Sequence, residues 1–111
     1  MKTDNNFFEK VFSIVRKIPF GRVTTYGAIA RCIGSPQSSR MVGWALNSTK
    51  YKISDIPAHR VVNRNGLLTG RSHFRTPYLM QQLLESEGIT IEKDKITDLK
   101  KFFWDPYKEL D

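Results

Sequence analysis

The sequence predicts a mainly α fold with a small β component, built around a helix-turn-helix over about residues 26–47. Three observations carry this expectation. Apolar side chains recur at helical spacing near both ends of the chain. Between Thr25 and Asn47, two short helical patterns are split by a turn containing Gly34. The middle, from Lys50 to Arg75, is loop-rich and has no helical period. A chain of 111 residues has room for one core, so a single domain over 1–111 is expected.

The elements follow in order. Phe8, Val11, Phe12, Val15 and Ile18 mark a first helix from Asp4 to Lys17, with Asp4 as its cap and Pro19 and Gly21 as its stop. Thr25 is the expected N-cap of a short helix through Ile33, and Gly34 suits the left-handed position after it. Ser35-Pro36 pairs a cap residue with proline at the first helical position. It opens a second helix to about Asn47, with Val42, Ala45 and Leu46 on one face. Ile56 to Val62 reads as a short strand after a fixed turn, and Asn65-Gly66 favours a tight reversal into Leu67-Leu68. Thr76-Pro77 starts a helix with Leu79/Leu83 and Met80/Leu84 as apolar pairs and Gly88 at its end. Ile89 to Glu92 reads as another strand. Thr97 to Trp104 reads as a closing helix whose Leu99, Phe102 and Phe103 supply core.

Composition narrows the classes. With 40% apolar and 26% charged residues and a mean hydropathy of −0.42, the chain reads as a soluble globular domain. No apolar run approaches the roughly 20 residues of a membrane span. Met1 to Asn6 is polar and lacks a signal peptide's hydrophobic stretch, so a cytoplasmic protein is expected. One cysteine, Cys32, excludes an internal disulfide framework, and with two histidines beside it no metal or other cofactor is expected.

Charge says more. Residues 1–75 carry 13 basic and 3 acidic side chains, net +10, whereas residues 76–111 carry 5 and 8, net −3. Between Arg16 and Arg75 the only acid is Asp55. A basic body with an acidic last third points to a polyanion, most commonly nucleic acid. Singly, the chemistry-bearing residues say little. A lone histidine such as His59 is more often a structural hydrogen-bonder than a base, Glu87 a solvated carboxylate, Arg40 a surface charge and Tyr26 a packed ring.

Their order says more than their identity. Val23-Thr24-Thr25-Tyr26-Gly27-Ala28-Ile29-Ala30 is followed by Gly34-Ser35-Pro36-Gln37-Ser38-Ser39-Arg40-Met41-Val42-Gly43. Ile56-Pro57-Ala58-His59-Arg60-Val61-Val62 and Leu84-Glu85-Ser86-Glu87-Gly88 come next. Over about residues 7–91 this resembles the C-terminal DNA-binding domain of the O6-alkylguanine-DNA alkyltransferases, which implies a winged helix-turn-helix. Those enzymes carry Pro-Cys-His-Arg-Val where this chain has Pro57-Ala58-His59-Arg60-Val61. The resemblance therefore implies that the alkyl-accepting cysteine is replaced by Ala58, whose methyl group is no nucleophile. The chain is thus similar to the alkyltransferase-like proteins, and no enzymatic activity is expected.

Carried over by residue, the resemblance implies that Tyr26 crowds the phosphate 3′ to a lesion and that Arg40 fills the gap left by an everted nucleotide. Ser38, Ser39 and Gly43 would lie in the minor groove, and Trp44 stands where the family often has a small residue. Tyr26, Pro57, Ala58, His59 and Val61 would wall a lesion pocket. Leu67 to Ser72 would form its lid, with Arg71 sensing the base and Ser72 at the lid serine. His59 and Glu87 would remain as a network without a nucleophile. The family's hairpin asparagine has no fixed place here, because Leu46 to Ala58 is one residue longer.

The expectation is a non-enzymatic sensor of O6-alkylguanine in duplex DNA that flips the nucleotide from the minor groove and hands it to nucleotide excision repair. Its partners would be that DNA and repair proteins, with no membrane. The expected state is a monomer, nucleoid-associated when bound. Two alternatives stand beside it: a hydrolase acting at the flipped base through His59 and Glu87, and a winged-helix transcription factor.

Overall fold

The structure, a computed structural model, describes residues 2–48 and 55–109. Lys50 to Ser54, the start of the predicted loop-rich middle, lies outside the described residues. Helix α1 (Lys2–Arg16) buries Phe7, Val11, Ile14 and Val15, with Ile18 just beyond it, against the rest of the fold. This is one i, i+4, i+7, i+8 stripe. The helix starts before Asp4, which therefore sits in its first turn and does not cap it. Phe8 and Phe12, read as part of the helical spacing, are only partly buried and meet edge to face at 6.4 Å.

Strand β1 (Thr24–Thr25) leads into helix α2 (Tyr26–Ile33). The Thr25 hydroxyl accepts the Ala28 N–H at 3.0 Å, the predicted cap, and Gly34 takes the left-handed conformation at φ 96°. The next helix is not continuous from Ser35. A single 3-10 turn, Pro36–Ser38, precedes helix α3 (Ser39–Asn47), and the Ser35 hydroxyl bonds that of Ser38 at 3.0 Å. Helices α2 and α3 form the predicted helix-turn-helix.

The predicted strand from Ile56 to Val62 is mostly turn. Pro57, at φ −78° and ψ 67°, centres an inverse γ-turn in which the Ala58 N–H donates to the Ile56 carbonyl at 2.8 Å. A 3-10 turn, Ala58–Arg60, follows, and only Val61–Val62 remain as strand β2, parallel to β1 with Thr24 opposite Val61. Asn65-Gly66 does reverse the chain, with Gly66 at φ 83° and the Asn63 side chain accepting the Asn65 and Leu67 N–H groups. Leu67 then pairs across to Lys95.

Helix α4 (Leu79–Ser86) begins later than predicted, because Thr76 closes a separate turn by accepting the Tyr78 N–H. Gly88 ends the run at φ 90°. Strands β3 (Ile91–Glu92) and β4 (Lys95–Ile96) make an antiparallel hairpin through Lys93 and Asp94, both at positive φ. Of the predicted closing helix only α5 (Leu99–Phe102) forms. Beyond it the backbone turns to β1, the Trp104 N–H donating to the Val23 carbonyl at 2.7 Å. A last helix, α6 (Pro106–Glu109), packs on α2 and was not predicted, although Asp105-Pro106 is a cap-plus-proline start signal. Two core clusters result: one under α1, α2 and α3 that includes Trp104, the other around Met80, Leu84, Ile89, Ile96 and Phe102.

Candidate nucleic-acid interface

Between α3, the Pro57–Arg60 turns and the 69–75 segment lies a cleft of about 1520 Å³. Helix α3 explains one wall. Val42, Ala45 and Leu46 anchor its inner face, so Ser39, Arg40, Gly43, Trp44 and Asn47 fall on the cleft side. The Pro57 γ-turn and the 3-10 turn after it supply the second wall. They present Pro57, Ala58, His59 and Arg60 to the cleft, and the β1–β2 pairing ties this segment to the start of the helix-turn-helix.

Tyr26, the first residue of α2, stands between α3 and the third wall. Burial raises its hydroxyl pKa against the opposing effect of a hydrogen bond with Thr69, so the phenol stays protonated. Gly70 lets this ring approach: a Cβ there would lie 3.0 Å from the Tyr26 Oη.

Behind Ala58, three elements meet at Glu87. Its carboxylate accepts the Gly21 N–H at 2.8 Å, the Arg60 guanidinium at 2.8–3.1 Å and the His59 Nε2–H at 2.8 Å. The Arg60 Nη1 also reaches the Ile18 carbonyl at 2.9 Å. Burial pushes the Glu87 pKa up, but the Arg60, His59 and Gly21 hydrogen bonds outweigh it and hold the carboxyl below its ordinary value. Burial lowers the His59 pKa more than Glu87 raises it, so the imidazole is neutral at pH 7 and its Nε2 carries the proton toward Glu87. Gly21 suits this junction, because its φ of 81° closes the turn from Pro19 that aims its N–H at Glu87.

The cleft is cationic. Arg16, Arg40, Arg60 and Arg75 line it; Arg16 is paired with Asp55, the one acid among its described lining residues, at 3.2 Å and Arg60 with Glu87, so Arg40 and Arg75 carry its net charge.

Of the residues singled out in the sequence, the fold brings Tyr26, Ser39, Arg40, Gly43, Pro57, Ala58 and His59 to this cleft, with Glu87 behind His59. Four others stand elsewhere. Val61 is fully buried in β2 and is core, because its strand pairing turns it inward. Ser38 is held in the turn before α3 by Ser35. Arg71 leans to Asp94 at 3.7 Å and Ser72 is exposed; neither lines the cleft. Sequence reasoning missed His73, Phe74 and Arg75, which form the third wall with Thr69 and Gly70 of the expected lid and with Leu79 and Leu83. The basic and aromatic run His73-Phe74-Arg75 was the available signal.

Cys32 lies on α2 and does not line the cleft; burial, aided by Asp105, raises its thiol pKa and keeps it a weak nucleophile. Among the described residues no group of three or more His, Cys, Asp or Glu side chains is placed to hold a metal ion. No described helix is long and apolar enough to cross a membrane.

Comparison with known proteins identifies the family and the fold. Residues 6–89 match the family model of the 6-O-methylguanine DNA methyltransferase DNA-binding domain. Alkyltransferase-like protein 1 of Schizosaccharomyces pombe is 33% identical over 92% of this chain and 97% of its own. A DNA base-flipping protein of Escherichia coli is 39% identical over 94% of this chain and 78% of its own. The crystal structure of S. pombe Atl1 with damaged DNA containing O6-carboxymethylguanine superposes with a TM-score of 0.81, covering 92% of this chain and 97% of that one.

Proposed function

The chain belongs to the family of 6-O-methylguanine DNA methyltransferase DNA-binding domains, and we propose that it recognises O6-alkylguanine in duplex DNA by everting the damaged nucleotide into the cleft, without alkyl transfer. The observation that carries this reading is Ala58. It lines the cleft beside the His59–Glu87 pair, at the place the resemblance gives to the alkyl-accepting cysteine. Transfer needs a thiolate at the alkyl carbon, and a methyl group offers none.

The remaining parts suit recognition. Arginines along the cleft supply sequence-independent phosphate affinity. Tyr26 crowds the backbone at the lesion and Arg40 occupies the vacated space, with Ser39 and Gly43 giving α3 a close approach to the minor groove. Eversion costs a few kcal/mol, least where pairing is already poor, as at an O6-alkylated guanine. Ala58, Phe74, Leu79 and Leu83 give the alkyl group an apolar surface, worth about 0.8 kcal/mol per buried CH₂. The bound lesion is then handed to nucleotide excision repair. The protein acts as a cytoplasmic monomer, nucleoid-associated when bound.

The test is an incubation with excess O6-methylguanine duplex followed by intact-mass measurement of the protein and base analysis of the DNA. Unchanged protein mass with the lesion intact is expected. A methyl group gained on any residue, Cys32 included, refutes the reading; loss of the lesion with the protein unmodified supports a hydrolase using His59 and Glu87.

A further inference from the structure

We propose that Trp44 is a second DNA-binding side chain of α3, laid against the strand beside the everted nucleotide one helical turn from Arg40. The inference rests on the reading of the cleft as the DNA face. Trp44 is 57% exposed, a large apolar surface left in water on a helix whose other face is fully packed. Among the described residues three further large rings are at least as exposed, namely Phe20, Tyr78 and Tyr107, but none of them lines the cleft. Phe20 and Tyr107 also lie under arginines, Arg60 at 5.8 Å and Arg31 at 5.1 Å. Among the described residues, Trp44 alone combines such exposure of a large ring with a place on the basic cleft.

Charge selects the occupant. With Arg16 paired to Asp55 and Arg60 to Glu87, Arg40 and Arg75 leave the described cleft lining net positive, which suits a phosphate backbone. An aromatic plane among cationic side chains is the combination that binds nucleic acid, the cations on phosphates and the ring on bases and sugars. Spacing sets the position. Four helical residues rise about 6 Å, close to two nucleotide steps of roughly 3.4 Å on one strand. With Arg40 in the gap, the indole meets duplex about two nucleotides away. That contact exists whether or not the guanine is alkylated, so Trp44 supplies affinity common to damaged and undamaged DNA.

Fluorescence tests this directly. The chain has two tryptophans, and Trp104 is only 4% exposed, so the emission accessible to acrylamide belongs to Trp44. Saturating O6-methylguanine duplex should shield that fraction, and Trp44→Phe should lack it with or without DNA. Trp44→Ala should weaken the O6-methylguanine duplex and its unmodified counterpart alike, each by at least about fivefold, the low end of an aromatic contact with a base. Thermal stability should stay unchanged. Trp44 emission that remains equally quenchable in the bound protein, or wild-type affinity of Trp44→Ala, overturns the proposal and leaves the cleft reading standing. Wild-type protein that binds neither duplex overturns both.

Discussion

At the scale of single residues, the junction at Glu87 decides how the retained His59 should be understood. Glu87 accepts from Arg60 and the Gly21 backbone as well as from His59, so it joins the α1–β1 turn, the 58–60 turn and α4. Its first consequence is mechanical. With a side chain only 5% exposed, Glu87→Ala strands the Arg60 charge and should cost about 3–5 kcal/mol, read from denaturant unfolding. Its second consequence is acid sensitivity. The folded Glu87 pKa is depressed, so its contribution is present above the ordinary carboxyl value of about 4.3 and is lost as pH falls through the folded value. The folded His59 pKa is also depressed, so below about pH 6.5 the unfolded chain takes up the proton first and stability falls. The unfolding midpoint should therefore drop between pH 7 and pH 5, and His59→Gln should flatten that limb. A wild-type midpoint constant over this range contradicts the assignment of a buried neutral imidazole.

At the scale of elements, recognition falls to α3 in the proposed reading because its two faces are so unequal. Arg40, at its exposed start, should matter more than an equally exposed lysine away from the cleft. Arg40→Ala should weaken O6-methylguanine duplex binding by about 1–3 kcal/mol, the value of a stacking contact, with Lys100→Ala on α5 as the control. Equal losses with equal salt dependence would make Arg40 an ordinary phosphate contact. This helix pair was legible because local chemistry alone fixes it: the Thr25 cap and the left-handed Gly34 act over a few residues. The Pro57–Arg60 turns were legible only in part, as a fixed turn before a longer strand. Valines and isoleucine in that stretch suggest a strand, yet Pro57 bends the chain and only Val61 and Val62 find a partner. The closing helix was overpredicted for a related reason. Its apolar period is real, but the Phe103 and Trp104 backbone is diverted to Val23, a partner some 80 residues away. The cleft's third wall was legible only in part: Thr69 and Gly70 fall in the lid that the resemblance implies, whereas Phe74 and Arg75 acquire meaning only when the loop folds against the cleft.

For the whole molecule, the last residues complete the core. The family match ends at residue 89, yet Trp104 packs into the cluster under the helix-turn-helix, and Arg31 of α2 pairs with Asp105 at 3.2 Å. Trp104→Ala should cost about 3–5 kcal/mol in unfolding free energy, as for other buried tryptophans. An effect below 1 kcal/mol would mean that this segment is dispensable for the fold. The net charge of +7, concentrated before residue 76, gives the molecule a general attraction to DNA that falls steeply with salt. Specificity must come from the cleft, since phosphate contacts serve every sequence equally. The decisive measurement is equilibrium binding to two duplexes of identical sequence, one with O6-methylguanine and one with guanine, across a salt series. A preference for the lesion that persists as salt rises, while both affinities weaken in parallel, is the predicted result. Equal affinities at every salt concentration would contradict lesion recognition and leave only a basic DNA-binding domain.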